Sequence, residues 1–553
     1  MNRIALVLFA LVIASTALAD DDRPQSTRPS EGPGSPTYSE RVDVVIANVD
    51  VVVTDRQGNP VRGLTKADFE IRENGELQTI TSFTAFDAKP ASEFGETPDV
   101  VDSADTPAPT MPPRLFVLFF DIGDTAPNRR ERFFSSVRGF LDEAFRDGDV
   151  VAVLSWSRRI NVILEPTQDR QRLDVVLEGL SIPFGSARSR NLKILRELAD
   201  LAIEDARRDE ELSMALGAAI VTDAATEEDF QEWMIAEQRC QQIKRKATEM
   251  RNILTTLSRI EMRKVLLFAS DDLTLQPAPG CSTVLELAEL AGTANAYGMT
   301  IHALHPPGPR DDGLRVDTSY YPRTNDPIPM ATEYFRAFDE SAGLNLLAEH
   351  TGGLFSMGLE SPKVLAEVAR GLDSYYSLGY RMSPGNEDRS RKVEVTTKNE
   401  AYRVRARQSV VRLSEASRIR DLVTSSLYLP EMPGKDVPSF EARVTKSKEE
   451  GRFVIADVEV SIRARDLVLL PTQAERLEGS FSVFLSAGRL LGDASDVVEM
   501  TRRVGSYSTI ENDSRLVYTF QARIRPDTRR LSLAVRDNVS GEVGLKVITL
   551  DSL

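Results

Sequence analysis

Between residues 114 and 373 the sequence alternates short apolar segments of strand character with longer amphipathic segments of helical character. This alternation constrains the fold most, because it is the pattern of a parallel sheet with helical crossovers. The segments that favour strands are 115–120, 150–156, 160–164, 265–269, 300–304 and 354–357, and those that favour helices are 129–145, 170–180, 282–296, 334–350 and 362–372. We therefore predict a doubly wound α/β domain, in which ligands bind beyond the carboxyl ends of the strands.

One connection in this domain is longer than a crossover between two strands requires. It runs from Thr167 to Lys264 and contains leucines at helical spacing, namely Leu192, Leu195, Leu198 and Leu201. We predict a helical insertion at about 183–260. Two interpretations stay open: the inserted helices add core packing against the sheet, or they form a partner-binding hairpin over its edge.

The regions on either side of the α/β domain carry β patterns. Residues 41–87 contain alternating β-branched residues and the dipeptide Asn74-Gly75, which is typical of a type I′ hairpin. Residues 374–412 alternate again, and we predict that they pair with 41–87 as one β-sandwich that the α/β domain interrupts. Residues 413–553 contain successive strand-like segments, which indicate a C-terminal β-sandwich-like domain.

The first residues have the composition of a secretory signal. Arg3 precedes the apolar segment 4–16, and a small-residue Ala-Leu-Ala sequence ends at Ala19. A membrane anchor needs about twenty apolar residues, more than this segment has. We expect cleavage after Ala19 and a secreted or periplasmic protein, with a disordered tether at 20–40 and a Pro-rich linker at 88–113.

Charge and cysteine content limit the partners and cofactors. The net charge of −16 argues against nucleic acid, because neutralising phosphates requires clustered Lys and Arg. No later segment of the sequence is long and apolar enough to span a bilayer. The two cysteines, Cys240 and Cys281, are too few for a structural zinc site. They can form a disulfide in an oxidising compartment, but sequence alone leaves their pairing open.

Several segments of the chain occur together in a recognisable order. From about Val42 to about Arg412 they are VVVTDRQGNPVRGLTKADFEIRENGE, RLFVLFFD, KVLLFASDD, LLAEHTGGLFSM, SYYSLGYRMSPG and YRVRAR. In this order they resemble the von Willebrand factor A-related proteins that are abundant in Acidobacteria and similar bacteria. The resemblance implies a Rossmann-like A domain outside the cytoplasm, flanked by β segments, that binds proteins and has no established enzymatic activity.

The resemblance also implies a metal-ion-dependent adhesion site. In A domains an Asp-x-Ser-x-Ser loop after the first strand offers a carboxylate and two hydroxyls to Mg²⁺. Asp121 matches the Asp and Thr125 the second Ser, whereas Gly123 replaces the first Ser. Asp271 matches an aspartate that A domains contribute after a later strand. We predict a degenerate site with Asp121, Thr125 and Asp271 as metal ligands.

The ligand set that the resemblance implies is incomplete. The threonine that A domains contribute from a second loop has no clear match, although Ser186 and Ser189 lie in about the right region. Asp124 and Asp272 add carboxylates, which favours Ca²⁺ over Mg²⁺ because the shell of Ca²⁺ is larger and looser. The alternative is that the aspartates only cap the ends of strands and helices.

We expect the A-type domain to bind an unidentified protein partner at the carboxyl edge of its sheet. A structural or assembly component of the cell envelope without a metal is the second interpretation, and an uncharacterised hydrolase is the third. We predict no enzyme, because the sequence lacks a nucleophile elbow, a phosphate loop and a dinucleotide fingerprint. His302 and His305 lack the HExxH spacing of a catalytic zinc site.

Overall fold

The structure is a computed structural model of the 553-residue chain. It describes residues 46–88, 111–122, 125, 127–157, 160–181, 227–258, 260, 262–277, 280–306, 339–383, 385, 387–427, 437–472, 476–488, 494–506 and 514–550. The predicted signal, the tether at 20–40 and most of the linker at 88–113 lie outside these residues. The described part of the chain has no helix that is long and apolar enough to cross a membrane.

Four β-strands come first in the described part of the chain. They are β1 (Ile46–Thr54), β2 (Phe69–Glu73), β3 (Glu76–Gln78) and β4 (Ile80–Asp87). The turn between β2 and β3 has positive φ angles at Asn74 (50°) and Gly75 (87°), as a type I′ hairpin requires. β1 and β2 pair with strands that lie some 300 residues later in the chain. Ile46 of β1 is opposite Arg381, and Arg72 of β2 is opposite Glu394.

Six strands form the sheet of the α/β domain. They are β5 (Arg114–Asp121), β6 (Val150–Trp156), β7 (Ile160–Thr167), β8 (Arg263–Ala269), β9 (Met299–His305) and β10 (Phe355–Met357). Their order in the sheet is β10-β9-β8-β5-β6-β7, and within this sheet β7 runs antiparallel to its neighbour. Counted along the chain, this is the 3-2-1-4-5-6 order of a doubly wound fold. The sheet therefore fits the Rossmann-like A-type fold that the sequence predicts.

Helices cover both faces of this sheet. They are α1 (Pro127–Ala144), α2 (Arg170–Ser181), α3 (Glu227–Leu257), α4 (Val284–Ala296), α5 (Ala342–Thr351) and α6 (Ser361–Asp373). One core packs α1, α2 and α6 against one face, and a second core packs α3, α4 and α5 against the other. The central strand β5 is buried along its whole length, because it is covered from both sides.

The helical insertion predicted at about 183–260 is described only in part. Residues 182–226, with the leucines at helical spacing, lie outside the described residues. Helix α3 lies on the sheet, where Ile243, Met250 and Leu254 join the core. It therefore serves as the crossover that leads into β8, and further inserted helices stay a prediction.

A disulfide between Cys240 and Cys281 joins α3 to the loop before α4, with the two Cα atoms 6.5 Å apart. The bond resolves the pairing that sequence alone leaves open. It fastens the amino-terminal half of α3 to the same edge of the sheet at which β8 ends. Neighbouring side chains of α3 are therefore held at a defined place over that edge.

The strands that follow the α/β domain complete the first β-sandwich. They are β11 (Ser374–Arg381), β12 (Ser390–Thr397), β13 (Arg403–Ala406) and β14 (Ser409–Val411). The two sheets have the orders β13-β1-β11-β4 and β14-β12-β2-β3. They enclose a core that includes Val51, Ile71, Leu378 and Tyr380. The α/β domain is thus inserted between two halves of one sandwich.

In the described residues after β14, one helix precedes a second sandwich. They are α7 (Glu415–Ser426), β15 (Phe440–Glu450), β16 (Phe453–Arg463), β17 (Leu470–Pro471), β18 (Leu477–Gly488), β19 (Val498–Ser506), β20 (Arg515–Ile524), β21 (Arg530–Asp537) and β22 (Val543–Thr549). One sheet has the order β15-β16-β20 and the other β17-β18-β21-β22, with β19 also paired to β18. Val458, Val483 and Leu533 lie in the core between them.

Helix α7 connects the α/β domain to the C-terminal sandwich. Thr256 Oγ1 of α3 donates a hydrogen bond to the main-chain oxygen of Ser425 at 2.9 Å. At the next residue of α7, the hydroxyls of Ser426 and Ser532 are 2.6 Å apart. Ile419 and Val423 pack with Phe484 and Ala534 of the sandwich in a small apolar cluster.

Candidate functional site

The carboxyl ends of β5 and β8 bring the predicted aspartates to one edge of the sheet. The two strands are neighbours, and Phe120 lies opposite Ala269, so Asp121 and Asp271 follow at nearly the same level. Both aspartates are buried, with exposures of 1% and 0%. Thr125 is also buried, and its N–H donates to the main-chain oxygen of Asp121 at 3.2 Å. Gly123, Asp124, Ser186 and Ser189 lie outside the described residues.

Asp121 is paired with a lysine that sequence analysis does not single out. Nζ of Lys246, from α3, donates to Oδ2 of Asp121, and the two side chains are 1% and 0% exposed. Ser270 Oγ lies 2.7 Å from the same carboxylate oxygen. The ammonium is also 3.4 Å from the main-chain oxygen of Asp272 and 5.8 Å from the centre of the Trp156 ring. An oxygen-rich pocket with one aromatic wall thus surrounds this ammonium.

Asp271 is paired with an arginine from the first turn of α1. Nη1 of Arg129 lies 3.0 Å from Oδ2 of Asp271, and the two side chains are 7% and 0% exposed. Arg129 also donates to the main-chain oxygen of Pro306, which follows β9. The guanidinium therefore ties the start of α1 to the ends of β8 and β9, because a buried charge needs both a counter-charge and filled hydrogen bonds.

The next residue, Arg130, closes the loop that follows β5. It donates to the main-chain oxygens of Ile122 at 2.6 Å and of Thr125 at 3.0 and 3.1 Å. Burial lowers the pKa of the Arg130 guanidinium to about 10, although the charges of Asp121 and Asp271 favour its protonated form. Arg130 therefore carries a positive charge at neutral pH.

A fourth basic residue binds the aspartate after Asp271. Nε of Arg239 contacts Oδ2 of Asp272, and its Nη2 donates to Thr274 Oγ1 at 3.1 Å. The same nitrogen lies 3.5 Å from Oε1 of Glu340. The side chain of Arg239 is 34% exposed, so it brings the polar edge of the sheet to solvent. Arg239 precedes Cys240, whose disulfide holds this part of α3 in place.

These side chains form what we call the edge charge cluster. Its carboxylates are Asp121, Asp271, Asp272 and Glu340, and its basic groups are Lys246, Arg129, Arg130 and Arg239. Four negative and four positive groups give a formal charge of 4 − 4 = 0 for these eight residues. Such a balance is what burial demands, because an uncompensated charge in a dry interior costs several kcal/mol.

The edge charge cluster does not fit a bound divalent cation in this arrangement. The cavity beside Asp121 and Thr125 has a volume of about 10 Å³, close to the least that holds one water molecule. In the described part of the chain, no group of three His, Cys, Asp or Glu side chains could hold a metal ion. A cation on Asp121 would also meet the Lys246 ammonium, and like charges repel strongly where water is excluded. Metal binding at Asp121, Thr125 and Asp271 stays a prediction, and it requires Lys246 to move.

Sequence analysis misses the basic half of the cluster, although one signal was present. Lys246 follows Ile243 by three positions and precedes Met250 by four, which places a charged residue on the apolar stripe of a helix. A charge at such a position needs a buried partner. Arg129 and Arg130 offer no comparable signal, because the first turn of a helix often faces solvent.

The amino ends of the strands carry a second set of charges, which are partly buried where the sheet meets the first sandwich. Arg263 Nε lies 3.1 Å from Oδ2 of Asp50, and its guanidinium lies 3.7 Å from the centre of the Tyr375 ring. Arg405 and Arg407 line the same cavity, whose volume is about 20 Å³. We call Arg263, Arg405 and Arg407 the junction arginine cluster. Burial lowers the pKa of Arg405 and of Arg407, and the charge of Arg263 lowers both further.

His302, one of the residues weighed as a zinc ligand, belongs to this amino end. Its Nδ1 accepts a hydrogen bond from the N–H of Leu354 at 3.0 Å. Burial lowers the pKa of His302 well below 6.5, and the charges of Arg405 and Arg263 lower it further. A neutral imidazole that holds the start of β10 against β9 is the role that these contacts support.

No protein-family model matches the sequence, and the search of curated proteins finds no match. Among solved structures, the chain is similar to the conserved hypothetical protein BatB from Bacteroides thetaiotaomicron, at 12% identity over 47% of this chain and 98% of that chain, with a TM-score of 0.24.

Two further solved structures are similar at the same level. Proximal thread matrix protein 1 from the mussel byssus, with a zinc-occupied MIDAS motif, has 11% identity over 49% of each chain and a TM-score of 0.26. The manganese-loaded TRAP protein of Plasmodium vivax has 10% identity over 54% of this chain and 95% of that chain, with a TM-score of 0.23. Similarities this low carry no argument on function, so the A-type fold rests on the strand order of the chain itself.

Proposed function

We propose that this protein is a secreted or periplasmic protein-binding module, whose A-type domain holds a protein partner at the carboxyl edge of its sheet without a bridging metal. Doubly wound sheets bind their ligands at that edge. Here the edge charge cluster fills it, and the cavity beside Asp121 is only about 10 Å³. Among the described residues, this cavity is too small for a ligand larger than water, whereas a partner protein needs a surface and no deep pocket.

One observation carries the proposal: two large apolar side chains are exposed beside the edge charge cluster. Val284 and Leu285, at the start of α4, are 40% and 67% exposed. The neighbouring Thr283 donates to the main-chain oxygen of Thr274 at 2.7 Å, which attaches this end of α4 to the loop after β8. Apolar residues with a charged rim, here Arg239, are the composition of a protein-binding surface.

The test is a binding experiment with a matched control. The chain from Asp20 onward is immobilised and incubated with envelope extract of the organism that makes it, in Mg²⁺ and in EDTA. We expect a specific partner to be retained equally in both buffers. Leu285→Glu should weaken its affinity at least about tenfold, as loss of an interface hot spot does. Val517→Glu is the control, because Val517 is 61% exposed on the distant C-terminal sandwich.

Two outcomes would contradict the proposal. Retention that disappears in EDTA would show that a metal is needed, and the partner would then have to reach Asp121. Equal binding by Leu285→Glu and Val517→Glu would remove the carboxyl edge as the binding surface. The purified partner, titrated by calorimetry, gives the affinities for this comparison.

The location outside the cytoplasm is part of the same proposal. It is supported by the signal-like composition that ends at Ala19 and by the disulfide between Cys240 and Cys281. Membership of the Acidobacteria-type group belongs to it as well, on the segments quoted above. We assign the protein no enzymatic activity. Amino-terminal sequencing of the protein from the cell envelope should begin at Asp20, and a protein that still begins at Met1 would count against export.

A second candidate function is a structural or assembly component of the cell envelope. The contacts of α7 favour it, because this helix is bonded both to the α/β domain and to the C-terminal sandwich. Tyr297 OH donates to Oδ2 of Asp421 at 2.5 Å, and Arg530 donates to the main-chain oxygen of Leu427 at 2.7 Å. A scaffold requires domains that are joined by direct contacts such as these. Sedimentation of the envelope fraction separates the two functions, since a scaffold stays in large assemblies when no specific partner is present.

A further inference from the structure

The lysine on Asp121 has the surroundings of a metal ion. We propose that the Lys246 ammonium takes the place of a divalent cation, so that the chain supplies its own positive charge at this site and removal of that charge creates a metal site. The inference stands on the contacts of Lys246 alone and is independent of the proposed protein binding.

Oxygen atoms lie around Nζ of Lys246. Among the described residues, Oδ2 of Asp121 accepts a hydrogen bond from Nζ, and the main-chain oxygen of Asp272 lies 3.4 Å from it. Ser270 Oγ lies 2.7 Å from that same carboxylate oxygen and 3.0 Å from that same main-chain oxygen. Carboxylate, hydroxyl and carbonyl oxygens are the ligands of hard cations such as Mg²⁺, Mn²⁺ and Ca²⁺. An ammonium with three donors uses the same acceptors.

The packing of α3 places a lysine there. The Lys246 side chain is 1% exposed and lies between Ile243 and Met250, which are in the core beneath α3. Lysines are almost never fully buried unless they are paired. The disulfide at Cys240 holds the same helix less than two turns away, so the ammonium cannot leave Asp121 without displacing packed side chains.

Removal of Lys246 changes the formal charge of the edge charge cluster. The edge charge cluster would then hold three basic groups and four carboxylates, a formal charge of 3 − 4 = −1. Asp121 loses its ion pair with Lys246, whereas Arg129 stays on Asp271 and Arg239 stays on Asp272. Truncating the lysine side chain also opens space for an ion with bound waters, which Mg²⁺ and Mn²⁺ retain in proteins.

The experiment compares variants of Lys246 in the full mature chain, with Mn²⁺ as the probe. Lys246→Ala removes both charge and volume, and we expect it to bind one equivalent of Mn²⁺ with a Kd at or below about 1 mM, the range of extracellular cation sites. Lys246→Met removes the charge but fills the space, so it should bind no Mn²⁺. Electron paramagnetic resonance measures bound and free Mn²⁺ directly.

Two controls separate the site from general changes in charge. Lys244→Ala lies two residues away on the same helix, where Lys244 is 33% exposed and pairs with Glu286 at 3.0 Å. It loses the same charge and should bind no Mn²⁺. The double variant Lys246→Ala with Asp121→Ala should lose the binding that Lys246→Ala gains, because the carboxylate is then absent.

Either of two results would overturn the proposal. One is a folded Lys246→Ala protein that binds no more Mn²⁺ than Lys244→Ala does. The other is wild-type protein that binds one equivalent of Mn²⁺ in a manner that depends on Asp121, a measurement that stands even where Lys246→Ala does not fold. Folding of Lys246→Ala only when Mn²⁺ is added would support the proposal, because the metal would then replace the missing charge.

Discussion

The two ends of the six-stranded sheet both bury charged side chains, but they balance them in different ways. At the carboxyl end, the edge charge cluster sets four carboxylates against four basic groups. At the amino end, the junction arginine cluster has Asp50 at 3.1 Å from Arg263, whereas Glu367 is 4.0 Å from Arg405. Direct ion pairs stabilise the carboxyl end. The amino end, where the α/β domain meets the first sandwich, has an excess of positive charge.

The carboxyl end is the candidate site, and the amino end is the junction with the first sandwich. The balanced end replaces an external cation by groups of the chain, so its stability depends on each buried pair. The basic end lowers the pKa of His302, Arg405 and Arg407, with burial as the largest cause at each of them. The stability of this amino end therefore depends on pH. It also depends on the close contact between the backbones of Gly352 and Ala406.

The largest effect is expected from Asp121→Ala. The substitution removes the carboxylate that pairs with the buried Lys246 ammonium, and breaking a buried pair costs about 3–5 kcal/mol in the free energy of unfolding. Urea denaturation measures this loss. Adding Lys246→Met should restore most of it, because an apolar replacement of a buried pair is close to neutral. Asp174→Ala, which breaks a surface pair with Arg170, is the control and should cost at most about 1 kcal/mol.

The next effect concerns backbone contact at the junction. Gly352 ends α5 with a φ of 75°, and a Cβ atom there would lie 2.5 Å from the carbonyl carbon of Ala406. Gly352→Ala should therefore lower the free energy of unfolding by about 2–4 kcal/mol, from backbone strain and overpacking together. Gly358 has a similar φ of 65° with open space around it, so Gly358→Ala should cost only the strain, about 1–2 kcal/mol. Equal losses in denaturant unfolding would show that the junction contact is unimportant.

The third effect is a dependence of stability on pH at the basic end. The pKa of His302 in the folded protein lies well below its usual 6.5, so the unfolded chain takes up the proton first as the pH falls. The stability from this residue is complete above pH 6.5 and is lost progressively as the pH falls below it. His302→Asn keeps an acceptor for the N–H of Leu354 but removes the titration. Its unfolding free energy should fall less between pH 7 and 5 than that of the wild type, and parallel curves would contradict the assignment.

The smallest effect is expected from metal removal. With Lys246 on Asp121, the wild-type protein should melt at the same temperature in EDTA, in Mg²⁺ and in Ca²⁺, since a ligand that does not bind the folded state adds no stability. Thermal unfolding followed by circular dichroism checks this. A rise in melting temperature with Mg²⁺ that Asp121→Ala abolishes would instead support the metal site predicted at Asp121, Thr125 and Asp271.

Much of the fold follows from local patterns. The six segments that favour strands in the α/β region all overlap β5 to β10 in the same order, because short apolar runs, here of four to seven residues, are what a covered parallel sheet requires. Asp121 and Asp271 could be assigned to one edge for the same reason, as each follows a buried strand. The helical insertion could not be judged in this way, since residues 182–226 lie outside the described part of the chain.

The nature of the site depends on contacts that no local pattern contains. Periodicity along the sequence determined the order of strands and helices and the positions of the aspartates, because each strand and helix buries its own apolar residues. Only the tertiary structure decided what neutralises Asp121. Lys246 is 125 positions away in the chain, and it reaches the carboxylate because α3 packs across the sheet and is held there by a disulfide. Burial then requires the two charges to meet, since neither is stable alone in a dry interior.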